Sequence, residues 1–328
     1  MSEHTITSAI IVSWNTRDLT LDCIGSFLAR NRQTQAEVIV VDNASTDGTP
    51  EAVRRRFPSV RILANRENMG FARAVNLGLA AAHGDPLLIM NADTLLLSDE
   101  PIARISSFLS ARPRAGIVGA TLLFPDGRVQ SCGRRFQSLQ TLIKMHLLFA
   151  DAPLFATDHP RLALQPRRVD YVDGAFMAIR RKVVDEIGPM DERHFLYAED
   201  MEWCWRAHKA GWEVVVLPDI KVRHLQGSGA RHDLVRALCH NAVNVSHMVG
   251  IMQGWRQARW AWRVILMGML LRVPLAVLRR SGQSADYWRA LRRCLSLSPN
   301  LRTVLKERWP DALLASEKRW QAMHSEAS

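Results

Sequence analysis

Short, β-branched apolar runs that each stop on a polar cluster, with helical spacing between them, organise this sequence. Residues 5–13, 37–42, 60–63 and 86–90 are such runs. They are too short for buried helices and rich in Ile and Val, as strands covered on both faces require. Residues 17–30, 51–57 and 70–83 carry helical spacing in the gaps. This alternation predicts an α/β fold: a mostly parallel, doubly wound sheet with helices on both faces. Ligands of such sheets lie beyond the carboxyl ends of the strands, which directs attention to the polar residues there. Further on, residues 116–124 and 169–180 read as strands, 200–209 as a helix stopped by Gly211, and 213–217 and 220–224 as two short strands. Residues 130–168 are irregular and Pro-containing, and after Gly229 the chain reads as helical.

Three polar clusters stand at strand ends. The first is Asp42-Asn43-Ala44-Ser45-Thr46-Asp47-Gly48-Thr49. An acceptor-rich turn there can hydrogen-bond a nucleobase or ribose; it equally describes an Asx-rich turn into a helix capped by Asp47 or Thr49. The second, Asn68-Met69-Gly70-Phe71-Ala72-Arg73, joins a glycine, a helix N-terminus and a cation. Those features suit a diphosphate, and also an ordinary glycine loop with a surface arginine. The third, Met90-Asn91-Ala92-Asp93, sets a carboxylate after an apolar strand. It can hold Mg2+ or Mn2+, which prefer oxygen ligands and bridge phosphate oxygens, or it can cap the next segment.

The order and spacing of the clusters favour the functional readings. The sequence resembles the family 2 glycosyltransferases of the GT-A fold, particularly their rhamnosyltransferase-like branch. The matching segments are Ile11-Val12-Ser13-Trp14-Asn15, VDNASTDGT from Val41, NMGFARAVN from Asn68, NAD from Asn91, VDGAFMAIRR from Val172, FLYAEDMEWCWR from Phe195 and VRHLQGSG from Val222. Together they cover about residues 5–230. The resemblance implies a GT-A catalytic domain over residues 1–230, with a donor half of about 1–125 and an acceptor half of about 126–230. Residues 231–328 then form a helical, basic, Trp-rich region.

The resemblance also implies roles. Asn15, Asp42, Asn43, Asn68, Arg73 and Asn91 would serve the nucleotide-sugar, with Asp42 and Asn43 at the base and ribose and Arg73 at the diphosphate. Asp93 stands at the family's last metal-binding Asp, and His224 at a His that some relatives use as a further ligand; the implied cofactor is Mg2+ or Mn2+. Asp200 matches the family's base, which takes the proton of the attacking hydroxyl in an inverting transfer. Metal and cation would stabilise the leaving nucleoside diphosphate. Gly174 and Ala175 would floor the acceptor site, with Glu199 and Trp203 on the same side. Ala92 departs from the Pro of many relatives, a change that removes no ligand atom. Read without the family, Glu199, Asp200 and Glu202 are acids favoured at a helix N-terminus. His224 is then a hydrogen-bonded strand-end residue, and Trp203 either a sugar platform or core. The branch implies dTDP-rhamnose as donor and a lipid-linked or glycan acceptor in bacterial-type cell-surface polysaccharide synthesis. Base choice depends on pocket shape, so UDP- and GDP-sugars stay open.

A net charge of +11 over 328 residues raises nucleic acid or an anionic membrane as a partner. From Ile251 to Ser328 there are 14 Lys/Arg against 5 Asp/Glu, so +9 of the charge lies there, with six of the ten Trp. No nucleic-acid module accompanies it, and nucleic acid is not expected. Trp255, Trp260 and Trp262 interleave with Arg256, Arg259 and Arg263 ahead of VILMGMLLRVPLAVL and Arg279-Arg280. Only 15 residues separate Arg263 from Arg279, fewer than the roughly 20 a spanning helix needs. The segment is therefore expected to lie on an anionic bilayer, holding the protein peripherally at the inner face of the cell membrane. A helix packed on the catalytic domain is the plain alternative. Cys23, Cys132, Cys204, Cys239 and Cys294 contain no C-x-x-C pair and read as reduced structural thiols of a cytoplasmic protein. The N-terminus reads as the first strand, with no signal peptide.

Two rivals remain at this stage. A nucleotidyltransferase shares the sheet and the metal, but wants a Gly-rich, Lys-containing loop where Ile11-Val12-Ser13-Trp14-Asn15 stands. An inactive nucleotide-sugar-binding membrane protein would be expected to lack Asp93 or Asp200, and both are present.

Overall fold

The computed structural model describes residues 6–131, 133–149, 165–225, 234–278 and 282–298. Cys132, residues 226–229 of the VRHLQGSG segment, Arg279-Arg280 and the tail from 299 lie outside the described residues.

The four N-terminal apolar runs form β1 (Thr7–Ser13), β2 (Ala36–Asp42), β3 (Arg61–Ala64) and β4 (Leu87–Asn91), all parallel, in the order β3-β2-β1-β4. The register sets Ser13 opposite Asp42 and Val12 opposite Asn91. The polar clusters thereby collect at one edge. Ile10, Ile11, Ile39, Val40, Leu88, Ile89 and Met90 are fully buried, each worth about 1.5–3 kcal/mol of transfer free energy. Helix α1 (Arg17–Arg30) packs Cys23, Ile24 and Phe27 into this core. Helix α3 (Phe71–Ala81) approaches β1 closely at Gly78, where a Cβ would stand 2.3 Å from Ile10 Cγ2. Helix α2 is Thr49–Arg56.

Past β4 the sheet becomes mixed. Strands β5 (Thr94–Leu96), β6 (Ala115–Leu123), β7 (Val129–Ser131), β8 (Arg167–Arg168), β9 (Phe176–Ile179) and β10 (Glu213–His224) complete ten strands, ordered β3-β2-β1-β4-β9-β6-β10-β5 with β7 beside β6 and β8 beside β10. Helices α4 (Pro101–Ala111), α6 (Arg181–Ile187) and α7 (Glu199–Lys209) join it. Two expectations change. Only Phe176–Ile179 of the 169–180 run enters the sheet, antiparallel between β4 and β6. Val172 instead packs over Gly119, where a Cβ would lie 2.5 Å from Val172 Cγ1. Residues 213–224 make one strand, with a register shift between Leu217 and Lys221 that absorbs Pro218.

By its internal packing the chain divides into two compact units. One comprises Met1–Arg135, Phe155–Glu192 and Glu199–Ser228; it holds the sheet. The other comprises Phe136–Leu154, Arg193–Ala198 and Gly229–Ser328. Its described helices are α5 (Leu139–Leu147), α8 (Leu234–Gln253), α9 (Trp255–Leu278) and α10 (Ser284–Leu297). They enclose a separate core that includes Leu142, Val249, Trp262, Ile265 and Leu291. Helix α9 runs 24 residues through Pro274, long and apolar enough to cross a membrane, which corrects the expectation of a segment too short to span. Of its most apolar stretch 44% is buried inside the protein.

Candidate active site

The edge where β1, β2 and β4 end is built by reciprocal hydrogen bonds. Asn15, in a left-handed conformation (φ 50°), accepts from Thr46 N (2.8 Å), while its own N–H donates to Ser45 Oγ (2.8 Å). Asp47 accepts from Arg17 N at the start of α1 (2.8 Å) and from Thr49 N (3.1 Å). Asp42 is buried; its Oδ2 accepts from Ser45 N at 2.9 Å, and its Oδ1 has no partner among the described residues. Burial pushes its carboxyl above the ordinary range. A buried carboxylate oxygen left over is an acceptor in search of a donor, such as a base N–H or a ribose hydroxyl.

Asn43 behaves differently. Its Nδ2 donates to Asn68 Oδ1 (2.9 Å) and Gly70 O (3.1 Å), and its Oδ1 accepts from Asn65 Nδ2 (3.0 Å) and Met69 N (3.1 Å). Asn68 Oδ1 also accepts from Gly70 N at 3.0 Å. Both amides shape the loop before α3 from inside. Gly70, at φ 85°, then opens α3 with no side-chain cap. Arg73, one turn on, is half exposed with Nε 3.7 Å from Glu192 Oε2.

Asp93 is 5% exposed, and its Oδ1 lies 3.3 Å from His224 Nε2. Asn91 Nδ2 is 3.4 Å from the same nitrogen. On the far side of the ring, His224 Nδ1 is 3.0 Å from Gln130 Oε1. With Nδ1–H donated to Gln130, Nε2 turns its lone pair toward the Asp93 carboxylate. Asn91 Nδ2 can donate to that lone pair, and a cation bound there would be shared between the ring nitrogen and the Asp93 carboxylate. One carboxylate oxygen and one imidazole nitrogen, backed by an outer hydrogen bond that fixes the ring, fit a divalent cation.

Asp200 sits in the first turn of α7. Its Oδ2 accepts from Gly174 N (3.0 Å) and its Oδ1 from Met201 N (2.7 Å). The next residue, Ala175, accepts at its carbonyl from Asn91 N (3.2 Å). Gly174 and Ala175 therefore tie Asp200 on one side to the Asn91–Asp93 segment on the other. A Cβ at Gly174 would lie 3.2 Å from the Phe71 ring, tight enough that the ring would have to shift by a few tenths of an ångström. Burial, then the neighbouring Asp173 charge, raises the Asp200 carboxyl to about 6. Glu199 is buried, its Oε2 without a partner among the described residues, and its carboxyl is pushed well up by burial. Of the two readings of Trp203, core or sugar platform, the structure matches core: the side chain is fully buried, with Nε1 donating to Gly188 O (2.9 Å). It is core, and no sugar can stack on it.

Residues 4–239 match the family described as glycosyltransferase-like family 2. The chain is 33% identical over 244 residues to the N-acetylglucosaminyl-diphospho-decaprenol L-rhamnosyltransferase of Mycobacterium tuberculosis, covering 69% of this chain and 78% of that one. The chain belongs to the family 2 glycosyltransferases. It is 26% identical over 236 residues to the O-antigen biosynthesis protein RfbC of Myxococcus xanthus, which covers 69% of this chain and 18% of that protein. Among solved structures, the mannosyltransferase PcManGT of Pyrobaculum calidifontis, in complex with GDP-Man and Mn2+, is similar in fold. The TM-score is 0.55 at 19% identity, covering 92% of this chain and 86% of that one.

In this family 2 glycosyltransferase, two residues that sequence reasoning passed over contact the candidate site. Gln130 orients His224 from 94 positions away, and Arg134 holds Asp173 through Nε–Oδ1 at 2.8 Å. Neither has a local pattern that could have marked it; only the pairing of distant strands and turns does so.

Proposed function

We propose that the chain transfers a sugar, with inversion, from a nucleoside-diphosphate donor to a lipid-linked or glycan acceptor in bacterial-type cell-surface polysaccharide synthesis. The observation that carries this reading is the bridge Asp200–Gly174-Ala175–Asn91, which ties the Asp200 carboxylate to the segment bearing Asp93. Asp42 offers its free oxygen to the nucleoside, and the N-terminus of α3 with Arg73 receives the diphosphate. Asp93 and His224 would hold Mg2+ or Mn2+, which would supply positive charge to the leaving diphosphate. Asp200 takes the proton of the acceptor hydroxyl as its oxygen bonds to the anomeric carbon. The bond from that carbon to the diphosphate oxygen breaks, and the nucleoside diphosphate leaves with the electron pair.

The 33% identical rhamnosyltransferase, whose name includes a lipid diphosphate acceptor, supports rhamnose as the sugar and a polyprenyl-linked acceptor. The sheet-bearing unit is the catalytic domain. The helical unit, basic and Trp-rich, holds the enzyme peripherally on the anionic inner face of the cell membrane.

The test is donor turnover with Mn2+ or Mg2+ across dTDP-rhamnose, UDP- and GDP-sugars, for the parent and Asp200→Asn. The parent is expected to turn over dTDP-rhamnose fastest, and the variant to lose at least about 100-fold. A variant as fast as the parent would remove Asp200 as base.

A further inference from the structure

Asp200 does not stand alone. The N–H it accepts belongs to the peptide between Asp173 and Gly174, so whatever holds Asp173 aims that N–H. Asp173 O accepts from Phe176 N (3.2 Å), closing the turn, and its carboxylate takes Arg134 Nε at 2.8 Å. Arg134 is itself fixed by backbone: its N donates to Tyr171 O (2.8 Å), and its carbonyl accepts from Asp170 N (3.0 Å) and Tyr171 N (3.1 Å). Both side chains are mostly sheltered, with 28% of Arg134 and 22% of Asp173 exposed. An ion pair in that setting is screened less than a surface pair.

We propose that the Arg134–Asp173 pair is a positioning and charge-setting device for Asp200: it aims the Gly174 N–H at the base and balances the one negative charge that faces it from the neighbouring turn. The inference rests on Asp200 being the base. Among the described residues, the charged and titratable groups around Asp200 are Asp173 and Arg134 from the turns packed on it, Tyr171 from the same stretch, and Glu199 and Cys204 from its own helix. Burial pushes Tyr171 and Cys204 up, so both stay neutral at working pH. Glu199 is pushed up likewise. That leaves Asp173 and Arg134 as a fixed charge pair of opposite effect. Asp173 raises the Asp200 carboxyl and Arg134 lowers it. Because Arg134 is paired to Asp173, removing either one unmasks the other.

The experiment titrates the Asp200 side-chain carboxyl by carbon NMR on Asp-labelled full-length protein, its resonance assigned by its loss in Asp200→Asn. In parallel, the acidic limb of metal-supported dTDP-rhamnose hydrolysis is recorded. Arg134→Met is expected to move both midpoints up, and Asp173→Asn to move both down, each by about half a unit or more. The double variant should return near the parent, and Arg134→Lys, which keeps the charge, should stay there. A merely structural role would slow all variants without opposite shifts. Midpoints that move in the same direction in Arg134→Met and Asp173→Asn, or that stay put in both, overturn the inference. Carboxyl shifts of the expected sign with an acidic limb that ignores them would leave the pair in place and remove Asp200 as base.

Discussion

At the first turn of α7, one kind of side-chain chemistry meets three environments. Glu202 takes three bonds from Arg206, Nε to Oε1 at 2.7 Å, Nε to Oε2 at 3.0 Å and Nη2 to Oε2 at 2.8 Å. Arg206 also donates to Pro189 O at 2.8 Å, so Glu202 is a structural clasp. Asp200 accepts backbone N–H groups on both oxygens and stays half-buried. Glu199 is buried with its Oε2 unpartnered among the described residues, and burial, then the Asp200 charge, pushes its carboxyl well above its ordinary 4.5. For an acid raised on folding, unfolding releases a proton once pH exceeds the unfolded value. Its contribution to stability is therefore full below 4.5 and falls as pH rises from there toward the folded value. Glu199→Gln, which mimics the neutral acid, removes this slope. Urea midpoints measured from about pH 5 to about pH 8 should show the variant gaining on the parent as pH rises; parallel curves would mean Glu199 is not buried as an acid. In the sequence these three carboxylates are indistinguishable, and Asp200 is singled out there by family likeness alone. What separates them are partners at residues 174 and 206, which a local reading of residues 199–202 does not contain. Asn43 makes the same point: its place in the motif was legible, but its bonds to Asn65, Asn68, Met69 and Gly70 were not.

At the scale of elements, the turn ahead of α7 carries two consecutive strained positions among the described residues. Tyr197 and Ala198 both have left-handed backbones, φ 70° and 67°, and neither is a glycine that takes this conformation freely. In the helical unit, Asn244 of α8 donates from Nδ2 to Leu196 O (2.9 Å) and Tyr197 O (2.8 Å). At 2% exposure, nothing in solvent replaces those bonds. Asn244→Ala should cost about 1–3 kcal/mol by chemical denaturation. Asn244→Asp, which cannot donate, should cost at least as much, and a loss below about 0.5 kcal/mol for both would show that the turn holds itself. The parallel half of the sheet was legible because each strand there is a separate apolar run: residues 37–42 and 86–90 return as β2 and β4 within a residue. The antiparallel half was not. β9 is four residues cut from a longer apolar run by the Asp173–Gly174 turn, and β5 is three residues whose pairing with β10 no periodicity records. Helix α5 begins at a Ser138 capping box whose partner is Thr141, outside the usual Glu or Gln signal.

For the whole molecule, the uneven charge is the feature that reaches beyond the chemistry. Along α9 the exposed residues change character: Arg256, Arg259, Trp260 and Arg263 come first, then Met267, Leu270, Leu271, Val277 and Leu278. Arg263 lies over the Trp260 ring, 4.8 Å from its centroid, which keeps cation and aromatic together. The opposite face, with Trp262, Ile265 and Met269, is already spent on the core of the helical unit. A helix that must keep one face on protein is poorly suited to cross a bilayer alone, whatever its length. A basic-to-apolar outer face instead suits oblique seating, with arginines at anionic headgroups and the apolar end dipping toward the acyl chains. Each arginine near such a surface is worth about 1 kcal/mol. Replacing Arg256, Arg259 and Arg263 together with Gln should then weaken binding to phosphatidylglycerol vesicles on the order of 100-fold, while donor hydrolysis by the soluble protein is unchanged. Flotation should show parent binding that falls with salt and is weak on phosphatidylcholine alone. Alkaline carbonate should release the parent from vesicles; protein retained after that wash would mean that α9 spans the bilayer, and equal binding to neutral lipid would mean that the arginines serve something other than a membrane.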